Sequence, residues 1–162
     1  DEACPLSGLV HDCVRVEPQD RDRRLWELFE TLEFQQVVIF VKLAETALRL
    51  EKKLIEDGFP AIAVHAELQE QERSWRQERF KTFEKRILVT TDGQRRVDCE
   101  RVNLVFGYDA PDTSDTYLRR AAHAGRSAHP RALVTFASSE EEGPFEEIRK
   151  ELRIHLAATL GA

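Results

Sequence analysis

Six short apolar or β-branched runs alternate with segments of helical spacing, and that alternation leaves few folds open. The runs are LVHDCVRV (9–16), QVVIFV (36–41), AIAVH (61–65), RILVTT (86–91), VNLVFGYD (102–109) and ALVTFAS (132–138), and each reads as a strand. The three in the middle are continuously apolar rather than alternating, which implies burial on both faces, as in a parallel sheet covered by helices.

The intervening segments supply those helices. Leu25, Leu28, Phe29 and Leu32 form an i, i+3, i+4, i+7 stripe; Ala44, Ala47, Leu48, Leu54 and Ile55 continue the pattern in a longer helix that DGFP stops. Two more helices are expected over 69–83, with Trp75, Phe80 and Phe83, and over 113–124, entered from the polar PDTSD. A last one follows EEGP and carries Phe145, Ile148 and Leu152. The expected architecture is a three-layer α/β sandwich: a mostly parallel sheet of about six strands with helices on both faces. A length of 162 residues suits one domain, placed at 9–162, with residues 1–8 as a linker from something upstream.

Several function classes drop out. No apolar run approaches the ~20 residues needed to cross a bilayer, and DEACPLSG lacks signal-peptide character, so no membrane role and an intracellular location are expected. Cys4, Cys13 and Cys99 have no CxxC spacing, so no zinc site or disulfide framework is encoded. The net charge of −6 argues against gripping nucleic acid over the whole surface; any phosphate binding must be local.

In an open α/β sheet, ligands sit beyond the carboxyl ends of the strands, and the obvious ligand is a nucleotide. The glycines, at 8, 58, 93, 107, 125, 143 and 161, are never closer than fourteen apart, so neither GxxxxGK[ST] nor GxGxxG can be assembled. The chain lacks its own phosphate cradle. Yet TYLRRAAHAGRSAHPR (116–131) packs four arginines and two histidines into sixteen residues on small spacers. Arginines so concentrated either form a solvated helix face or reach a nucleotide held by another domain, where a finger is worth ~10³ to 10⁵ in rate.

That segment resembles motif VI of the DEAD-box RNA helicases, H-R-x-G-R-x-G-R, and more closely H-R-V-A-R-A-G-R of the DECD subgroup, which acts in mRNA splicing and nuclear export. Here it reads Arg119, Arg120, Ala121, Ala122, His123, Ala124, Gly125, Arg126. LEFQQVVIFVK looks like motif IV and its lead-in, FPAIAVH like the next strand, QERSWRQERFKTFEKRILVTT like the helix and strand up to motif V, and ERVNLVFGYDAPDTSDTYLRR like the approach to motif VI.

The resemblance implies the second, carboxyl-terminal RecA-like domain of a two-domain motor in which ATP, with Mg²⁺, and RNA bind between the halves. An amino-terminal RecA-like domain would hold most of the nucleotide. This domain alone is expected to bind no cofactor, to hydrolyse no ATP and to be a monomer. RNA, mRNA export or splicing proteins, and a nuclear location are the further expectations. By position, Arg126, His123 and Arg120 match the catalytic motif; Asp98 and Arg126 match the ATP contacts; Arg73, Thr91 and Arg95 match the RNA contacts.

The departures are specific. His123 stands where the family has the first of two finger arginines, and Arg119 where it has histidine. In motif V, ILVTTDGQRRVDCERVN is one residue shorter than the subgroup's I-L-V-A-T-N-L-F-G-R-G-M-D-I-E-R-V-N. Arg96 then falls on a close-approach glycine, where it either blocks the strand or adds a phosphate contact. In the Q-x-x-R element Arg73 is kept and the glutamine is Glu70, while Glu67 replaces a glycine after His65. Two carboxylates along an RNA path are unfavourable, unless they serve a helix start or its surface. An active helicase half and a degenerate half kept for protein partners both fit this pattern. An unrelated nucleotide-binding domain and an RRM-type binder do not: the first lacks its glycine-rich loop, the second its basic, aromatic sheet face.

Overall fold

The computed structural model describes residues 8–95, 97, 99–124 and 131–154. Its middle is Gln36–Val41 (β2), buried at every position, because consecutive β-branched and aromatic side chains point alternately into two cores. Around it run Leu9–Arg15 (β1), Ala61–Val64 (β3), Ile87–Thr91 (β4), Val102–Gly107 (β5) and Arg131–Ala137 (β6). All neighbours pair in parallel, in the order β1-β6-β5-β2-β4-β3. The expected six-stranded, helix-covered α/β sheet is present.

Among the described residues, two helices cover one face and three the other. Arg21–Thr31 (α1) and Ala44–Glu56 (α2) place Leu25, Leu28, Leu50 and Leu54 against Val37, Ile39 and Val89. Glu70–Lys81 (α3), Ser114–Ala121 (α4) and Glu142–Leu152 (α5) place Phe80, Tyr117, Phe145 and Ile148 against Val38, Phe40 and Leu88. A turn of 3₁₀ helix at Pro18–Asp20, not foreseen from spacing, starts α1 with proline in its first turn. Thr113 caps α4 by accepting a hydrogen bond from the Thr116 amide at 3.1 Å.

The outer edge at β3 is closed by side chains. Glu51 accepts the Ala63 amide at 2.9 Å, Arg76 donates to the Ala63 carbonyl at 3.1 Å, and the two side chains pair at 2.9 Å. An exposed strand edge would otherwise present its amide and carbonyl for pairing with another chain.

After β2 the chain crosses by α2 to β3 on one side; after β5 it crosses by α4, on the opposite face, to β6 on the other side. The carboxyl ends of β2 and β5 therefore bound a topological switch point, the crevice where such sheets take ligands.

Candidate nucleotide and RNA edge

At the switch point the loops are fastened by charge. Asp109, just past β5, accepts the Lys42 amide on one oxygen at 2.8 Å and Arg21 Nη1 on the other at 2.7 Å. Arg21 is 6% exposed and donates its Nη2 to Glu141 at 2.8 Å, where Glu141 also accepts the Ser138 amide at 2.9 Å. Three loops, after β2, β5 and β6, meet the start of α1 at these two side chains. Neither was foreseen from the sequence; the one available signal was a charge two residues past the end of a largely apolar strand.

Arg120, expected in the catalytic motif, is 1% exposed and spends its guanidinium inside the domain. It donates to both Asp92 oxygens, at 2.9 and 2.8 Å, and to the Asp109 carbonyl at 2.7 Å, with its cation 5.4 Å from the Phe40 ring centre. A paired and hydrogen-bonded cation tolerates such burial; an unpaired one would not. The path to Asp109 needs Gly107, because a Cβ there would lie 2.8 Å from Arg120 Nη1. Arg120 thus positions the loops after β4 and β5.

His123 is also inside. Its ring is 6% exposed, stands edge-on to Phe40 with centroids 4.9 Å apart, and has Nδ1 3.1 Å from the Arg119 carbonyl. That carbonyl can only accept, so Nδ1 carries the proton there. A side chain held this way points into the core rather than across a cleft. Arg126, Asp98 and Arg96 lie outside the described residues.

The residues that the motif positions match to RNA contacts form a second group, at the ends of β3 and β4. Ala66, Glu70, Arg73, Gln77 and the loop Gly93–Arg95 line an open cavity of about 250 Å³. Arg73 and Arg95 both line it. Arg95 is exposed and forms no ion pair among the described residues. Thr91, at the end of β4, is 6% exposed, and its hydroxyl has no hydrogen-bond partner among the described residues. That hydroxyl is sealed from solvent, so it meets a phosphate only if the neighbouring loop shifts.

Arg73 is almost fully engaged. Nη1 donates to Glu70 at 2.7 Å, Nε to Gln94 at 3.1 Å, and Nη2 to the Leu68 carbonyl at 2.6 Å and the Ala66 carbonyl at 3.4 Å. Glu70 is also the first residue of α3, where a carboxylate is favoured by the helix dipole. Beside it the Glu67 amide donates to His65 Nδ1 at 3.2 Å, which closes the turn after β3 with the Glu67 side chain exposed.

Residues 20–128 match the family described as the helicase conserved C-terminal domain. The chain belongs to that family. It is 40% identical over 94% of its length to the human ATP-dependent RNA helicase DDX39A, and 45% identical over 88% to the Drosophila melanogaster ATP-dependent RNA helicase WM6. It spans only about a third of those relatives, 36% and 34%. The fold matches the C-terminal domain of the DEAD-box protein Dbp5 with a TM-score of 0.80 at 26% identity, covering 95% of this chain and 89% of that one. S. cerevisiae Dbp5 bound to RNA and ADP BeF3 matches with the same TM-score and identity, covering 96% of this chain and 41% of that one. The chain is therefore a helicase C-terminal domain similar to those of DEAD-box proteins, the family that motifs IV to VI resemble. No helix among its described residues is long and apolar enough to cross a membrane.

Proposed function

We propose that the chain works as the carboxyl-terminal half of an ATP-dependent RNA helicase of the mRNA splicing and export type. A single strand runs over the ends of β3 and β4, past Arg73, Arg95 and Thr91. Arg126 reaches the γ-phosphate of an ATP held, with Mg²⁺, by the amino-terminal half, and Asp98 meets its ribose. The observation that carries the reading is the meeting of Arg73 and Arg95 at one cavity beyond the carboxyl edge. Both relatives are ATP-dependent RNA helicases, and the matched Dbp5 is bound to RNA and ADP BeF3, which supports it.

In that reading the chain's own residues do three things. The Arg120–Asp92 pair fixes the loop between the RNA and nucleotide contacts. Asp109 and Arg21 hold the loops after β2, β5 and β6 in register with it. Arg126 supplies charge against the transferring phosphoryl group, an electrostatic task that needs no covalent chemistry from this half.

The test is ATP turnover by this chain joined to the amino-terminal half of DDX39A, with and without RNA. RNA-dependent turnover that falls ~10³-fold or more in Arg126→Ala supports the motor. A fusion that stays silent even as His123→Arg overturns it. Silence would favour a second reading, a helicase-like module kept for protein partners, whose specific support is the burial of His123 against Phe40. Nuclear location and export or splicing partners belong to the proposal and rest on the resemblance of motif VI to the DECD subgroup.

A further inference from the structure

The cavity at the RNA edge already contains a carboxylate in a phosphate's place. A phosphodiester recognised by arginine offers two oxygens to two N–H donors. At Arg73, Glu70 supplies such an oxygen to Nη1, and Gln94 and two backbone carbonyls take Nε and Nη2. Four of the five guanidinium hydrogens are thereby used. The two partners differ in how firmly they are held: the Arg73 side chain is 20% exposed, the Glu70 side chain 70%.

We propose that Glu70 is an internal competitor for RNA, a built-in brake that sets how tightly this domain holds the strand. The inference rests on the RNA reading above and names the residue that tunes it. The Glu70 carboxylate is tethered three residues from Arg73 on the same helix, so it re-forms its bond whenever a phosphate leaves. Because that pair is mostly solvated, it is weak enough to be displaced. The Leu68 carbonyl and Gln94 do not leave; they hold the guanidinium aimed at the cavity while one donor edge changes partner. RNA that binds here exchanges one anion for another at Arg73, so no net cation is newly neutralised, and the strand also passes a displaced carboxylate. Both effects lower affinity and flatten its dependence on salt.

Removing the charge at residue 70 while keeping its shape isolates the effect. Binding of a fluorescently labelled oligouridylate is followed by anisotropy over a range of salt, with ATP present, for the chain joined to the amino-terminal half of DDX39A, unmodified and as Glu70→Gln, Glu67→Gln, Arg73→Ala and the Glu70→Gln/Arg73→Ala pair. Glu70→Gln should tighten binding about three- to tenfold and steepen the salt slope by about one phosphate. The gain should vanish when Arg73 is absent. Glu67→Gln, whose carboxylate has no bond to Arg73 among the described residues, should gain less. An equal gain from both glutamine variants, or one that survives Arg73→Ala, would overturn the brake and leave general repulsion. Binding that Glu70→Gln does not change overturns the brake alone. No binding by any variant overturns the RNA reading, and the brake with it.

Discussion

Arg120 and Arg73 are two arginines at the same edge of the same sheet, each bonded to a carboxylate and to backbone carbonyls, yet they are built for different ends. Arg120 is 1% exposed, grips both oxygens of Asp92 and lies against Phe40, so breaking its pair strands a charge without water. Arg73 meets one oxygen of a glutamate that is 70% exposed, beside an open cavity, so breaking its pair returns a charge to solvent. What separates a structural ion pair from an exchangeable one is solvation rather than bond length: their shortest contacts are 2.8 and 2.7 Å.

The sharpest way to break the comparison is to remove Arg120 or Asp92. Asp92→Ala, which leaves the Arg120 cation buried and unpaired, should cost about 3–5 kcal/mol, lowering Tm by roughly 10 °C in calorimetry; Arg120→Ala, which leaves a carboxylate that is 26% exposed, should cost less. Gly107→Ala presses a methyl group on the same guanidinium and should cost about 1–3 kcal/mol by denaturant unfolding. Glu51→Ala is intermediate, since its pair with Arg76 is about one-fifth exposed on each side. It should cost about 1–2 kcal/mol and bring concentration-dependent association, seen in light scattering, as the β3 edge opens.

A smaller effect belongs to the cluster between α1, α2 and β5. Burial raises the Asp22 carboxyl, but hydrogen bonds from Arg49, Tyr108 and Lys53 together outweigh it and hold the group below its ordinary value. A depressed folded value stabilises at higher pH and is lost as pH falls through it. The Tm difference between the unmodified chain and Asp22→Asn should therefore be present at neutral pH and shrink below about pH 4. Glu70→Gln should be smallest of all in stability, within about 0.5 kcal/mol, while changing RNA affinity most.

The architecture was readable because β2, β4 and β5 each carry apolar residues on both faces and are mostly apolar, as a doubly covered sheet requires. Strand ends were readable to within one or two residues. β5 stops at Gly107 rather than 109, because Tyr108 and Asp109 turn out to hold Phe40, Lys42 and Arg21. For Glu70 the sequence left open a helix-start charge or a group repelling RNA; the structure places it first in α3 and adds a bond to Arg73 that no motif position signalled. Arg21, Asp92 and Asp109 went unseen because their partners stand 28 to 120 residues away and no spacing rule joins them.

The most direct test of the contrast is an NMR titration of the arginine Nε–Hε groups with a short oligouridylate. The Arg73 resonance should shift progressively as a phosphate takes the place of Glu70, while that of Arg120 stays fixed and protected from solvent exchange. An Arg73 resonance that stays still while RNA binds, or an Arg120 resonance that moves with it, would contradict the division between a committed and an exchangeable arginine.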